Sequence, residues 1–213
     1  METTETKNTN VSTLLEDNVV TLSGEISSEP LLNHELYGEK FYMYTLSVKR
    51  LSDEYDEIPL TISERLINPE ELPIGSLITV QGQFRSYNKH DEKKNRLILA
   101  VFVREIAFDE ERKDDNIIGL NGYICKEPVY RKTPLGREIA DLLIAVNRPY
   151  GKSDYIPCIC WGRNARFASG IEVGAKVEVY GRIQSRTYTK KISEDELETR
   201  TAYEVSISKI DTK

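Results

Sequence analysis

Few side chains in these 213 residues are equipped for covalent or metal chemistry. Cys125, Cys158 and Cys160 are odd in number, and two of them lie two positions apart. With only His34 and His90 beside them, they suit neither a disulfide framework nor a four-ligand zinc site. The chain has no Gly-rich phosphate loop and no nucleophile elbow, and no carboxylates pair on an apolar strand. Neither catalysis nor a cofactor is expected. The C-terminal half does concentrate ring faces and cations. Tyr150, Tyr155, Trp161 and Tyr188 stand among Arg131, Lys132, Arg137, Arg148, Lys152, Arg182, Arg186, Lys190 and Lys191. A basic groove with aromatic platforms holds a single-stranded nucleic acid by its phosphates and unpaired bases, at about 1–3 kcal/mol per stacked base.

Each of these residues has a plainer reading. Trp161 ends an apolar alternation and also suits a core position anchored through its indole N–H. Tyr155 alternates with Pro157 and Ile159, opposite Ile156, Cys158 and Cys160, and the pattern leaves open which face is core. Tyr150 and Tyr188 lie at loop edges beside charges. Arg131-Lys132 and Lys190-Lys191 also read as solvated turns. Cys158 and Cys160 read as small apolar core residues. His34 and His90 are read as isolated in polar loops, with no visible role.

An internal repeat organises the elements that must position these residues. Between Leu22–Ile62 and Leu120–Cys160, at a fixed offset of 98, eleven of 41 positions are identical. They include Gly24/Gly122, Glu29-Pro30/Glu127-Pro128, Arg50/Arg148, Asp56/Asp154 and Ile58-Pro59/Ile156-Pro157. At offset 99, Ile74-Gly75 meets Val173-Gly174, and Val80-Gln81-Gly82 meets Val179-Tyr180-Gly181. The division expected is a Thr/Asn/Glu-rich disordered tail at 1–17, a first copy at 18–108, a charged solvated linker at 109–116 and a second copy at 117–213.

Each copy reads as strands. Ala140, Leu142, Ile144 and Val146 alternate with Asp141, Leu143 and Ala145, which predicts a strand with one core face. Tyr42, Tyr44, Leu46 and Val48 fill the same slots in the first copy. Other predicted strands are Val19–Ile26, Glu57–Ser63, Leu77–Tyr87 and Arg96–Phe108, with counterparts Ile117–Cys125, Tyr155–Trp161, Ala175–Tyr188 and Thr199–Ile210. SERLINPEELPIG and GRNARFASGIEVG each suit one short helix before a Gly turn. The fold class is all-β, as two tandem five-stranded barrels of OB-fold type, each with one short helix.

No apolar run approaches the roughly 18 residues of a membrane span. The N-terminus lacks the basic-then-apolar order of a signal peptide, so a cytoplasmic protein is expected. The formal net charge is −6, which by itself argues against a nucleic-acid binder. The mean hides a split. Residues 1–113 carry 13 Lys and Arg against 21 Asp and Glu, net −8, and residues 114–213 carry 16 against 14, net +2.

The second copy strings several motifs in order: Gly122-Tyr-Ile-Cys-Lys-Glu-Pro128, Thr133-Pro-Leu-Gly136, Ala145-Val-Asn-Arg148, Asp154-Tyr-Ile-Pro-Cys-Ile-Cys-Trp-Gly162 and Val179-Tyr-Gly-Arg-Ile-Gln-Ser-Arg-Thr-Tyr188. Their order and spacing over 117–210 resembles the bacterial single-stranded DNA-binding protein family, and the first copy resembles it more faintly. The resemblance implies an OB-fold that binds single-stranded DNA without sequence preference, with Tyr150, Tyr155, Trp161 and Tyr188 at the family's stacking positions. Four assembled barrels are the family's usual arrangement, which two tandem barrels reach as a homodimer. Replication or repair proteins are partners of the family, but the acidic, apolar C-terminal tip is absent from Ser208-Lys-Ile-Asp-Thr-Lys213.

Two functions follow. One is single-stranded DNA binding in replication, repair or recombination. The other is a protein-interaction or RNA-binding module, which the negative charge favours. Carried back through the offsets, Tyr150, Tyr155, Trp161 and Tyr188 become Ser52, Glu57, Ser63 and Lys89. Residues 117–210 are therefore expected to carry most of the affinity, unless Tyr37, Tyr55 and Tyr87 substitute through a shifted register. Residues 18–108 are expected to support assembly, with Phe41 and Met43 on the contact face.

Overall fold

The computed structural model describes residues 17–91, 94–191 and 197–213, and their side chains except 89–91, 94–96, 190 and 191. Apart from Asp17, the expected N-terminal tail lies outside the described residues, as do the side chains of His90, Lys190 and Lys191.

The described chain is nearly all β. Residues 18–108 form β1 (Asn18–Ile26), β2 (Leu31–Leu36), β3 (Glu39–Lys49), β4 (Tyr55–Ser63), β5 (Leu77–Asp91) and β6 (Lys94–Phe108). Residues 116–212 repeat the series as β7 (Asn116–Ile124), β8 (Val129–Lys132), β9 (Glu138–Asn147), β10 (Ser153–Trp161), β11 (Lys176–Lys191) and β12 (Leu197–Thr212). Where one short helix per copy is expected, the first copy has a single 3-10 turn at Pro69–Glu71 and the second has α1 (Arg163–Ala168). Two prolines, Pro69 and Pro73, withhold backbone donors from the first segment, so it cannot extend. The strands β2 and β8 carry six and four exposed residues with no apolar alternation, so no pattern predicts them.

Pairings close on themselves within each half. β1 pairs with β3 and β5, β3 with β4, β4 in parallel with β6, and β6 with β5. β7, β9, β10, β12 and β11 repeat the circuit. The glycines of the repeat make the closure feasible: a Cβ on Gly24 or Gly122 would strike the carbonyl of Ser47 or Ala145 on the crossing strand. The alternating sets lie inward as predicted. Ala140, Leu142, Ile144 and Val146 are buried, as are Tyr44, Leu46 and Val48, with Tyr42 packed against them.

The halves join through β1 and β7, paired antiparallel with Val20 opposite Ile118, its own counterpart in the repeat. Asn18 opposes Leu120 and Leu22 opposes Asn116, so the pairing has the symmetry of a two-fold axis. Asn18 clamps the backbone of Phe84 through its side-chain amide, and Asn116 clamps Ile183 in the same way. The run at 109–116 is largely exposed and is also tied to the first half by side-chain bonds. Arg112 donates to Glu25, Asp114 and the Ser47 carbonyl and lies over the Tyr55 ring, while the Lys49 N–H donates to Asp114. The run carries both signs of charge, and each finds a complementary group on the barrel. No helix among the described residues is long and apolar enough to cross a membrane.

Candidate functional site

β10 settles which face of the alternation is core. Ile156, Cys158 and Cys160 point inward, and Tyr155, Pro157, Ile159 and Trp161 point outward. Burial pushes the Cys160 thiol up to about 12 and raises Cys158 as well, so both are inert apolar residues. Trp161, 39% exposed, stands across the ladder from Ile139. It borders a cleft of about 420 Å³ floored by Ile139 and Ile159 and walled by Arg131, Thr133, Gln184, Ser185, Arg186 and Glu204. Arg50 and Arg182 complete that wall, and Arg50 comes from the other half of the chain.

Of the residues predicted for binding, Trp161, Arg131, Arg182 and Arg186 meet in this cleft. Arg131 is paired with Asp141, and Gln184 donates to Glu204. Arg186 is exposed, with no carboxylate bonded to it among the described side chains. Tyr150 is fully exposed in the 3-10 turn Pro149–Gly151, held at φ 64°, a left-handed conformation that a bulky residue adopts only under constraint. Tyr188 lies on the β11 hairpin, half-exposed and opposite Arg200 in the ladder. Tyr155 sits at the junction of the halves, its N–H donating to Ser86 Oγ at 2.8 Å. Lys132 and Arg137 flank the β8–β9 turn, exposed. Arg148 and Lys152 line a different cleft.

Two of the cations predicted to meet phosphates, Arg148 and Arg182, are engaged by carboxylates in this structure. Asp154 is buried and accepts from Arg148 Nε (2.5 Å), Arg148 Nη2 and the Ser86 N–H (2.5 Å). Arg148 Nη2 also donates to the Ser86 carbonyl at 2.7 Å. The other half mirrors this. Asp56 accepts from Arg50 Nε (2.9 Å) and Nη2 (2.6 Å) and from the Ser185 N–H (2.6 Å), and Arg50 Nη2 donates to the Ser185 carbonyl. Arg182 adds a further bond to Asp56 at 3.1 Å. The Asp56 hydrogen bonds hold the Arg50 guanidinium above its ordinary pKa. Arg50/Arg148 and Asp56/Asp154 were identical in the repeat because each Arg–Asp pair fastens its half to the opposite one.

The second cleft, about 560 Å³, is one the sequence reasoning missed. His34, Phe41, Arg85, Tyr87, Phe102 and Arg148 are among its lining residues. His34 is on β2, stacked on Phe41, and not idle in a loop. Phe41 is only 7% exposed beneath it, which removes Phe41 from the expected assembly face.

Residues 115–212 match the model of the single-strand binding protein family. Over 80 residues the chain is 38% identical to the single-stranded DNA-binding protein of Oceanobacillus iheyensis and 35% identical to single-stranded DNA-binding protein A of Bacillus subtilis. The matches cover 34% of this chain, and 50% and 46% of the two relatives. The chain thus spans about half the length of the curated relatives it matches. Two crystal structures of the Thermus aquaticus single-stranded DNA-binding protein, a deletion variant and the wild type, superpose with TM-scores of 0.69 and 0.67 at 20% and 22% identity. Each covers 92% of this chain, against 94% and 92% of theirs, so the shared fold extends over both halves.

Proposed function

We propose that the chain binds single-stranded DNA without sequence preference, for replication, repair or recombination, using two tandem barrels of OB type. The carrying observation is the half-exposed Trp161 ring on the apolar floor of a cleft rich in arginine, inside the stretch that matches the single-strand binding family. An exposed ring on a dry floor offers a base a face to stack on, and the surrounding cations meet the phosphates. Tyr150, Tyr155 and Tyr188 extend the platform along the strand's path, with Arg186, Lys132 and Arg137 on its phosphates.

Titration of the full chain with oligo-dT should quench its single tryptophan. The logarithm of the binding constant should fall with log salt at about −0.7 per phosphate contact. No binding at low salt overturns the reading, and a stronger grip on RNA of equal length redirects it. A homodimer of four barrels belongs to the same reading. The exposed Val19, Ile117 and Tyr180 on the outer face of the β1–β7 ribbon support it, and light scattering at micromolar concentration tests it.

A further inference from the structure

The two clefts occupy equivalent places in their rings, yet their linings differ slot by slot. Leu60 opposes Val101 as Cys158 opposes Val205, so Ala100 is the counterpart of Glu204 and Phe102 that of Ser206. Arg85 and Tyr87 stand where β11 has Gln184 and Arg186. A bulge between Leu32 and His34 inserts Asn33, so His34 takes the slot opposite Phe41 that Arg131 takes opposite Ile139.

Three changes of residue and one bulge build an aromatic stack. The His34 and Phe41 rings are 4.7 Å apart and parallel within 5°, and Phe41 meets Phe102 at 5.9 Å. The Arg85 guanidinium lies 4.3 Å from the Phe102 centroid. His34 is exposed, so one ring face rests on Phe41 and the other is open.

The Arg85 charge has no bonded counter-ion among the described residues, and Asp154 acts on it only from a distance. Arg85 is partly buried and donates to Gln83. Burial first, then the neighbouring Arg148, pushes its pKa below the ordinary value. Arg148 is committed to Asp154, Lys152 is exposed at the rim, and no carboxylate lines the cleft among the described residues. An open ring face beside a half-buried cation without a bonded anion is the complement of a flat ring carrying a phosphate.

We infer that this cleft is a second nucleotide site, in which a base of the bound strand stacks on His34 and its phosphate meets Arg85 and Lys152. It rests on the single-strand reading above, and it is composite, because Lys152 comes from the other half of the chain.

The test uses the full chain and oligo-dT of about 30 nucleotides, enough to run through two barrels. The double variant His34→Ala/Arg85→Gln, with glutamine natural to the equivalent slot, should lose roughly 5- to 150-fold in affinity. The length of strand covered per chain should shorten, while the Trp161 quench at saturation persists. Unchanged affinity and covered length, with wild type binding, overturns the inference and leaves the Trp161 reading intact. Absence of binding by wild type overturns both. Photo-cross-linking of wild type with 5-iodouracil in the strand is independent of how the variant folds. Adducts on His34, Tyr87 or Phe102 are expected, and adducts confined to residues 115–212 would refute the site.

Discussion

The two clefts differ in a way that the charge of their halves does not predict. Residues 1–113, net −8, supply most of the cleft that has no carboxylate among its described lining residues. Residues 114–213, net +2, build the cleft with Glu204 in its wall and Asp141 on its Arg131. Net charge is a sum over a surface and acts on encounter over distances near the Debye length. A cleft is lined by about a dozen side chains, and single exchanges decide it. Glu204 to Ala100, Gln184 to Arg85, Arg186 to Tyr87, Ser206 to Phe102, Ile139 to Phe41 and Arg131 to His34 separate one lining from the other. The acidic half is therefore no argument for a half without ligand.

The junction gives the sharpest way to break this comparison. Asp56 neutralises two guanidiniums and Asp154 one hydrogen-bonded partner of that kind. Removing one member of a buried pair strands the other at about 3–5 kcal/mol. Asp56→Ala and Asp154→Ala should each lose on that order in urea unfolding, with Asp56→Ala the larger. Equal losses would show that Arg182 adds nothing. Because each cleft borrows a residue across this junction, separately expressed halves compare two incomplete sites.

Next in size is Trp161→Ala, expected to cost about 1–3 kcal/mol in affinity for oligo-dT. Its melting temperature should stay near wild type, since the ring is a cleft wall and not the core. A large melting shift with affinity intact would return Trp161 to a packing role. Arg186→Ala should flatten the salt dependence by about 0.7 in log–log slope. Arg131→Ala should flatten it less, because its charge already sits on Asp141. The smallest effect is Glu204→Ala, which gives the second cleft the first cleft's residue. Losing a carboxylate near the phosphate path should tighten binding by about 0.5–1 kcal/mol at low salt. Weaker binding would mean that Glu204 holds Gln184 in a working position.

The parts legible in the sequence were those with local period or repeat. The alternation of Ala140, Leu142, Ile144 and Val146 fixed a strand and its core face, and the repeat placed β1, β4 and β5 against β7, β10 and β11. Trp161, Arg131 and Arg186, named from their motifs, line one cleft in the structure. His34 and Phe102 were not named for binding. The offsets of 98 and 99 fail at His34, which a bulge advances by one position, and at Phe102, where the loop between β5 and β6 changes the offset to 104. The engagement of Arg148 and Arg182 by carboxylates was not legible, because a sequence shows a cation but not the carboxylate that folding brings to it.

By itself the sequence determined the long strands, the inward faces of β3 and β9 and the doubling of the unit, since these follow from side-chain alternation and self-similarity along the chain. Only the tertiary structure decided which cations are spent on Asp56 and Asp154, which rings are covered, and that each cleft takes a residue from the opposite half. Arg50–Asp56 and Arg148–Asp154 are six positions apart, but the bonds that carry them across the junction, Arg148 to Ser86 and Arg182 to Asp56, join residues more than 60 positions apart. They depend on strand register and on the β1–β7 pairing, and neither is written in any local stretch of sequence.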